Sequence, residues 1–417
     1  MRVVVVGQGY VGLPLAMRCV EAGHFVVGFD TDEQKISNLK LGISPIDDVT
    51  SSKINEAISS DRYIPTSNER DLQSFNVAVI TVPTPLLDSA PDTSFIESAA
   101  KLLAKNLDRN SLVILESTSY PGTTEDLLAP ILEAGSGLTR GKDFSLAFSP
   151  ERIDPGNTLW TLKSTPKLVS GVDEQSVLRA KDFYEPLIDQ LIVASGVRET
   201  EFAKLLENTF RQVNIALINE LAIHANSLGI DIWEVIRLAA TKPFGYTPFY
   251  PGPGVGGHCL PIDPEYLSWK FLEDSGEGSK FVKLATSINK KMPEYVVKRL
   301  KSGLNSRGID LKGASVFVVG VSYKKNSSDI RESPAIETIS LLVESGAKTV
   351  AFDSRAKIER ILKFNVSREL DLAVAKSADV TLILTNHDEV DYDAIVDNSS
   401  YVFDVRHCVL GANVEYL

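Results

Sequence analysis

The sequence predicts an α/β protein in which two doubly wound, parallel-sheet domains are joined by an all-helical segment containing one long helix. Three stretches predict it. Residues 2–6 (RVVVV) form a β-branched strand that runs into the glycine turn GQGYVG. Residues 200–228 keep a helical pattern without Pro or Gly. Residues 315–320 (SVFVVG) repeat the opening theme of apolar strand and glycine. At 417 residues the chain exceeds one ordinary core. The division expected is 1–195, 196–300 and 301–417.

The opening unit continues as helix 13–22, strand 25–29 and then Asp30. Gly7 permits a tight turn, Gly9 lets the backbone approach a pyrophosphate, and Gly12 lets the helix pack closely on the strand. The helix N-terminus offers unpaired N–H groups to the anion. Asp30, 18 residues beyond Gly12, stands where a carboxylate binds ribose hydroxyls and repels a 2′-phosphate. The unit is therefore a Rossmann-like dinucleotide site with NAD preferred over NADP. Strands near 77–82, 112–115 and 144–148 end in TVPTP, EST and SPER. In an open parallel sheet this places Thr81, Thr118 and Glu151 where ligands bind, although ordinary turn chemistry also explains the Thr and Pro residues.

In the long helix Lys204, Asn208 and Arg211 share one stripe, which Ile215, Ile218 and Ala222 continue. A solvated face competes with a buried helix whose polar patch faces a cavity. Residues 241–257 then hold four prolines and five glycines, the composition of a defined loop that lies close to something. Cys259 follows it, preceded by His258 and followed by Asp263. A glycine loop gives a cysteine access and free N–H groups, as a thiolate nucleophile requires. The default for an isolated cysteine is a small buried hydrophobe, which suits Cys19 and Cys408.

The third domain adds strands near 349–352, 380–384 and 401–403, with a helix opening at Pro334. It lacks a full GxGxxG, so a second NAD site is not expected. Its loop carries Tyr323, Lys324, Lys325 and Arg331. That loop suits a nucleoside diphosphate clamped by Arg, or is simply a charged exposed loop.

Composition narrows the classes. The chain is 43% hydrophobic and 24% charged, a soluble globular balance. Its formal net charge of −12 disfavours nucleic acid and anionic membranes as partners. No apolar run reaches the roughly 20 residues that span a bilayer, and a cytoplasmic protein is expected. The three cysteines form no CxxC site, and the five histidines show no ligand spacing, so no metal is expected.

Seven blocks in order, VVGQGYVGLPLA, TVPTP, ESTSYPGTTE, FSPERIDPGN, EFAKLLENTFRQVNIALINELA, PGPGVGGHCLPIDP and GVSYKKNSSDIRESPA, resemble the UDP-glucose/UDP-N-acetylmannosamine dehydrogenase family. The resemblance covers nearly the whole chain. It implies oxidation of a sugar C6 alcohol to the acid with two NAD molecules. Cys259 matches the family nucleophile, which forms a thiohemiacetal and then a thioester. Lys204 matches the lysine that stabilises the oxyanion, and Asn208 adds a donor. Asp263 would place Lys204 or a water, while Thr118 and Glu151 match positions assigned to water activation and hydrolysis. The cofactor set is Gly7, Gly9, Tyr10, Val11, Gly12, Asp30, Lys35, Thr81, Pro83 and Thr118. The substrate set is Glu151, Arg152, Ile153, Lys204, Asn208, Arg211, Tyr250, Gly256, Tyr323, Lys324 and Arg331. The long helix resembles the family's dimer core, which implies a homodimer or larger homo-oligomer.

FSPERIDPGN and Arg211 resemble the branch acting on N-acetylated sugars, and TKPFGYTPFYPGPG resembles UDP-N-acetylglucosamine 6-dehydrogenases, which serve surface polysaccharide synthesis. The mannosamine enzymes carry His-Pro-Arg where this chain has Lys242-Pro243-Phe244. UDP-N-acetylmannosamine and UDP-glucose stand as alternative substrates. A two-electron hydroxyacid dehydrogenase would need neither Cys259 nor a third domain. A catalytically silent nucleotide-sugar sensor would be expected to have a broken site.

Overall fold

The computed structural model describes residues 1–154, 157, 159–357, 360–361 and 364–417. Pro155 and Gly156 of the FSPERIDPGN block lie outside the described residues. The chain packs as two compact units. One comprises Met1–Glu207 and Glu265–Gly278, the other Asn208–Pro264 and Ser279–Leu417.

In chain order the first part contains β1 (Arg2–Val6), α1 (Gly12–Glu21), β2 (Phe25–Phe29), α2 (Glu33–Lys40), α3 (Ser51–Ser59), β3 (Tyr63–Thr66) and β4 (Val77–Ile80). A short hairpin, β5 (Leu86–Leu87) and β6 (Ala90–Pro91), precedes α4 (Ser94–Ala104) and β7 (Leu112–Leu115). Then come a helical turn (Thr123–Leu128), α5 (Ala129–Ser136), β8 (Ser145–Phe148), β9 (Lys167–Gly171), α6 (Glu174–Tyr184) and β10 (Leu191–Val193). The eight-stranded sheet has the order β10-β9-β8-β7-β4-β1-β2-β3. Its pairs are parallel except β8 with β9.

The unbroken valine run of β1 reflects helices on both faces of the sheet. Val3 and Val5 pack with Leu13, Cys19 and Ile54. Val4 and Val6 turn the other way, against Ile96, Leu103 and Leu132. Polar alternation in β1 would expose neither face to water and would only leave polar atoms unpaired in a core.

Beyond β10 the long helix α7 runs Val197–Ser227, followed by α8 (Ile232–Ala239), α9 (Asp263–Ser275), α10 (Lys280–Lys290) and α11 (Met292–Asn305). Strand β11 (Ser315–Val319), α12 (Pro334–Glu344), β12 (Lys348–Phe352), β13 (Arg360–Ile361) and β14 (Phe364–Ser367) lead to α13 (Leu372–Ser377) and β15 (Val380–Ile383). Helix α14 (Tyr392–Asn398), β16 (Val402–Asp404) and β17 (Val414–Tyr416) complete the chain. The second sheet is ordered β13-β14-β12-β11-β15-β16-β17, parallel except β13 with β14. Again odd and even residues of the first strand serve two cores. Val316 and Val318 join Leu300 and Ile339, while Phe317 and Val319 join Ala375 and Ile395.

The protein is thus mixed α/β, with parallel sheets towards both termini and a helical central region. No described helix is long and apolar enough to cross a membrane.

Candidate active site

The first unit builds its glycine turn at the carboxyl end of β1. Gly7 has φ +97°, and a Cβ there would lie 2.6 Å from the Thr81 carbonyl oxygen. A Cβ on Gly12 would lie 1.9 Å from the Gly7 oxygen. Around Gly9, by contrast, a Cβ would meet nothing within 4 Å. Gly7 and Gly12 are therefore required by the fold, whereas Gly9 leaves open space next to backbone, as a pyrophosphate needs. Tyr10 and Val11 are half-buried at the start of α1. Thr81 donates its hydroxyl to the Val6 and Gly7 carbonyls, 2.9 Å each, and so fastens β4 to the turn. Pro83 is exposed beyond it.

Asp30 is 8% exposed at the end of β2. Its Oδ2 accepts the Gln8 N–H at 2.8 Å and the Lys35 ammonium at 2.7 Å, and its Oδ1 accepts the Asp32 N–H at 3.0 Å. Lys35 thus partly neutralises the carboxylate expected to face ribose. Gln8 and Tyr63, which the sequence reading passed over, support the turn. The Tyr63 hydroxyl donates to Gln8 Oε1 at 2.7 Å, and a Cβ on Gly28 would strike both side chains. A tyrosine 55 residues from its partner carries no local sequence signal.

The turn after β7 carries half-buried Thr118. It is tied down by Glu201, in the second turn of α7. Glu201 accepts the Gly122 N–H at 2.6 Å, the Thr124 N–H at 2.9 Å and the Thr124 hydroxyl at 2.7 Å. Burial nevertheless raises its carboxyl to about 7. Tyr266 of α9 donates to the Pro85 carbonyl at 3.0 Å, fixing the TVPTP loop, and Trp269 packs 5.0 Å from Tyr120.

Glu151 follows β8. Its Oε1 accepts the N–H groups of Arg152 and Ile153 at 2.6 and 2.7 Å. Its Oε2 lies 3.2 Å from the Lys167 ammonium, which also reaches Glu116 at 3.1 Å. The Tyr184 hydroxyl donates to Glu116 in turn. Burial alone would discharge Lys167, but the two carboxylates outweigh it and hold the ammonium more firmly protonated. Nothing in the spacing of residues 116, 151, 167 and 184 announces this cluster; the adjacency of β7, β8 and β9 in the sheet creates it. Arg152 makes a forked ion pair with Glu207, at 2.7 and 3.2 Å, and donates to the Pro166 carbonyl. Ile153 is half-buried.

Along α7 the helical stripe changes character. Lys204 is 8% exposed, Asn208 is half-buried and Arg211 is exposed, while Ile218 and Ala222 are buried. The lysine is thus not part of a solvated face, and a buried ammonium calls for an anionic or oxygen-rich partner.

In the second unit Cys259 is the exposed one of the three free cysteines; Cys19 is buried and Cys408 half-buried. Burial raises both of those thiols well above the usual range, which makes them inert as nucleophiles. Cys259 closes a turn in which its carbonyl accepts the Asp263 N–H at 2.9 Å, the first residue of α9. The Asp263 side chain is buried and accepts from Asn208 Nδ2 at 2.6 Å. Cys259, Asp263 and Asn208 are therefore assembled together. The adjacent His258 is held below the ordinary imidazole value by burial and by Arg331.

Gly256 and Gly257 bring the diphosphate-loop candidates to this turn. A Cβ on Gly256 would lie 2.5 Å from the Glu332 oxygen and 2.9 Å from Tyr323 Cβ; one on Gly257 would enter the Tyr323 ring at 2.6 Å. The Gly257 N–H donates to the Arg331 carbonyl at 3.0 Å. The Arg331 guanidinium is forked onto Asp329 at 2.6–3.0 Å, and the Lys324 ammonium lies over the Tyr323 ring at 5.8 Å. Tyr250 is 57% exposed and stacks on Trp233 at 6.0 Å. A further cation that the sequence reading passed over is Arg406, after β16. It is half-buried, desolvation lowers its guanidinium to about 10, and it lies 2.8 Å from where a Gly252 Cβ would stand.

The second sheet reuses the turn geometry of the first without its opening. Gly320, φ +88°, lies against the Thr385 backbone as Gly7 does against Thr81. Asp353, at the position corresponding to Asp30, is fully buried and accepts the N–H groups of Val321, Ser322, Arg355 and Ala356 at 2.8–2.9 Å. Its carboxylate serves the loop itself and faces no ribose.

Comparison with known proteins matches this organisation. The UDP-glucose/GDP-mannose dehydrogenase family matches in three parts: its NAD binding domain over residues 1–188, its central domain over 198–291 and its UDP binding domain over 317–410. A UDP-N-acetyl-D-glucosamine 6-dehydrogenase of Pseudomonas aeruginosa is 38% identical over 357 residues, covering 85% of this chain and 82% of its own. A UDP-N-acetyl-D-mannosamine dehydrogenase of Pyrococcus horikoshii is 36% identical, covering 93% and 90%. The solved structure of the UDP-D-ManNAc dehydrogenase from Pyrococcus horikoshii superposes with a TM-score of 0.88 at 33% identity, covering 100% of this chain and 99% of that one. With a glycine turn that fits the pyrophosphate of NAD on one sheet and a self-closed counterpart on the other, the chain belongs to the UDP-glucose/GDP-mannose dehydrogenase family of NAD-dependent enzymes.

Proposed function

We propose that the chain oxidises the C6 hydroxymethyl of UDP-N-acetylglucosamine to the carboxylate, with Cys259 as covalent nucleophile. The observation that carries it is the exposed Cys259 thiol at the end of a glycine-rich turn that Asp263 and Asn208 hold in place. Gly7, Gly9, Tyr10, Val11, Gly12, Asp30, Lys35, Thr81, Pro83 and Thr118 hold NAD, which when bound accepts the hydrides that the two oxidations release. Residues 1–195 bind the cofactor, 196–300 carry the central helices and the cysteine, and 301–417 bind the UDP moiety.

The Cys259 sulfur adds to the C6 aldehyde of the first oxidation and gives a thiohemiacetal, a tetrahedral carbon whose C–H hydrogen can leave as hydride to give an acyl product. Lys204 stabilises the oxygen that carries negative charge in this adduct, and Asn208 supplies a second donor. Oxidation yields a thioester, which water cleaves with Glu151 and Thr118 activating it. Asp263 orients Asn208. Arg152, Ile153 and Arg211 bind the sugar, and Tyr250, Gly256, Tyr323, Lys324 and Arg331 bind the nucleotide. Arg331 must exchange part of its Asp329 pairing for phosphate.

The N-acetylglucosamine assignment is supported by the TKPFGYTPFY segment and by the Pseudomonas aeruginosa relative. UDP-N-acetylmannosamine is the second reading, favoured by the Pyrococcus horikoshii relative and its structure. The test is NADH formed per mole of sugar with UDP-N-acetylglucosamine, UDP-N-acetylmannosamine and UDP-glucose offered separately. Two NADH per sugar with preference for the first is expected. One NADH, or none with all three, would overturn the thioester route.

We also propose a homodimer. Phe202, Leu206, Phe210, Leu217 and Leu221 are 36–55% exposed on α7, and their spacing puts them on one stripe of the helix. A stripe of that length on one element is suited to burial against a copy of itself.

A further inference from the structure

The cluster beneath Glu151 lies outside the roles assigned so far, and each of its members comes from a different element of the first unit. Glu116 follows β7, Glu151 follows β8, Lys167 opens β9 and Tyr184 closes α6. Lys167 is 3% exposed, Glu116 1% and Tyr184 0%. A lysine–glutamate pair so deep in a core, capped by a tyrosine hydroxyl, has a heavy desolvation cost, which raises the Glu116 carboxyl, and is rarely the best way to fill that space. Apolar residues would stabilise the sheet at least as well, so its presence at this carboxylate calls for another reason.

The hydrogen bonds supply one. Among the described residues Glu151 meets donors: two backbone N–H groups on Oε1 and the Lys167 ammonium on Oε2. Such a surround fixes the plane of the carboxylate and leaves its charge facing one ammonium. The ammonium is itself held in place, by the Pro150 carbonyl at 3.4 Å and by Glu116 at 3.1 Å. Glu116 is anchored by the Tyr184 hydroxyl on one oxygen, while its Oε2 is buried with no hydrogen-bond partner. Glu116 therefore competes with Glu151 for one positive charge. The other ionisable groups facing the cluster are Cys19 of α1, with Arg18 beyond it, and the Arg152–Glu207 pair on the far side of Glu151.

We propose that Lys167 is a positioning residue that keeps Glu151 ionised and aimed for thioester hydrolysis, with Glu116 and Tyr184 setting how much of its charge Glu151 receives. The inference rests on the thioester reading above. In the step concerned, the oxygen of a water forms a bond to the acyl carbon and one of its protons passes to the Glu151 carboxylate. The C–S bond then breaks and the Cys259 sulfur leaves as thiolate; no electrons are exchanged with a cofactor.

The two flanking charges make opposite predictions, which a merely structural role would not. Lys167→Met removes the cation, so Glu151 holds its proton to higher pH. Glu116→Gln removes the competitor, so Glu151 loses its proton at lower pH. The measurement is decay of the acyl adduct on Cys259, followed by rapid-quench intact-protein mass spectrometry with the quench mixed from pH 3.5 to 9 in full-length protein turning over its UDP-sugar. In Lys167→Met the acid limb should move up by about one pH unit or more, and decay at pH values below the wild-type limb should slow about tenfold. In Glu116→Gln the limb should move down. Formation of the adduct should be far less affected in both. If wild type releases two NADH per sugar but both limbs stay where they are, or move the same way, the proposal is wrong while the thioester reading stands. If wild type releases one NADH per sugar, both fall. Should Lys167→Met not fold, the downward shift in Glu116→Gln decides the matter, and an unmoved or raised limb there overturns the proposal.

Discussion

Gly9 and Gly12 differ by three positions and by what surrounds them. A methyl group at Gly12 would run into the Gly7 carbonyl, whereas one at Gly9 would meet only open space. Gly12→Ala is therefore expected to destabilise the first unit by about 1–3 kcal/mol. Gly9→Ala should leave the melting temperature nearly unchanged and weaken NAD binding instead. Thermal denaturation paired with NAD titration separates the two; equal loss of stability in both would contradict this account. At the reacting centre, Cys259→Ala should lower NADH formation by at least about 10³-fold without changing the melting temperature, since the thiol is exposed. A variant that keeps releasing two NADH per sugar would remove Cys259 from the mechanism. Cys19→Ala is no substitute control, because that side chain fills the first core.

Elements are held in position by side chains distant in sequence. Glu201 belongs to α7 but gathers the turn at Gly122–Thr124, and with it the segment carrying Thr118. Its replacement by Ala should cost about 1–3 kcal/mol, because two backbone N–H groups lose their acceptor inside the protein. The pH dependence has a definite sign. The folded carboxyl titrates at about 7, above the ordinary 4.5. Its protonated form is thus favoured by folding: the contribution is fully present below 4.5 and is lost as pH rises through 7. A shift of that size corresponds to about 3 kcal/mol. Chemical denaturation of wild type should show a decline across this window that Glu201→Gln lacks. Matching slopes in the two proteins would show that the N–H donors keep Glu201 ionised throughout. Asp353 illustrates the same principle in the second unit, where a carboxylate fastens its loop through four backbone N–H groups while its counterpart Asp30 takes two and the Lys35 ammonium.

For the whole molecule, the exposed stripe on α7 makes a prediction about assembly. Leu217→Glu, half-exposed and central to the stripe, should yield monomers by light scattering while the far-ultraviolet circular dichroism is preserved. Dimers of unchanged stability would move the interface elsewhere. A monomer that keeps full activity would separate assembly from catalysis.

Periodicity, glycine spacing and the order of apolar runs determined from the sequence the central strands of both sheets, the long helix and the NAD turn, because each is a local pattern repeated along a few turns or strands; the outer strands β3, β9, β10, β13, β14 and β17 emerged only in the structure. The resemblance carried by PGPGVGGHCLPIDP likewise marked Cys259 before any coordinate. What only the tertiary structure decided is which side chains meet. It decided that Asp263 answers Asn208, that Arg331 is forked onto Asp329, and that Asp353 is closed off where Asp30 is not. It also assembled Lys167, Glu116 and Tyr184 beneath Glu151 from four separate elements. Strand order makes such meetings invisible in sequence: β8 lies between parallel β7 and antiparallel β9, and α6 packs on them, so residues 16 to 68 positions apart become hydrogen-bond partners with no periodic trace.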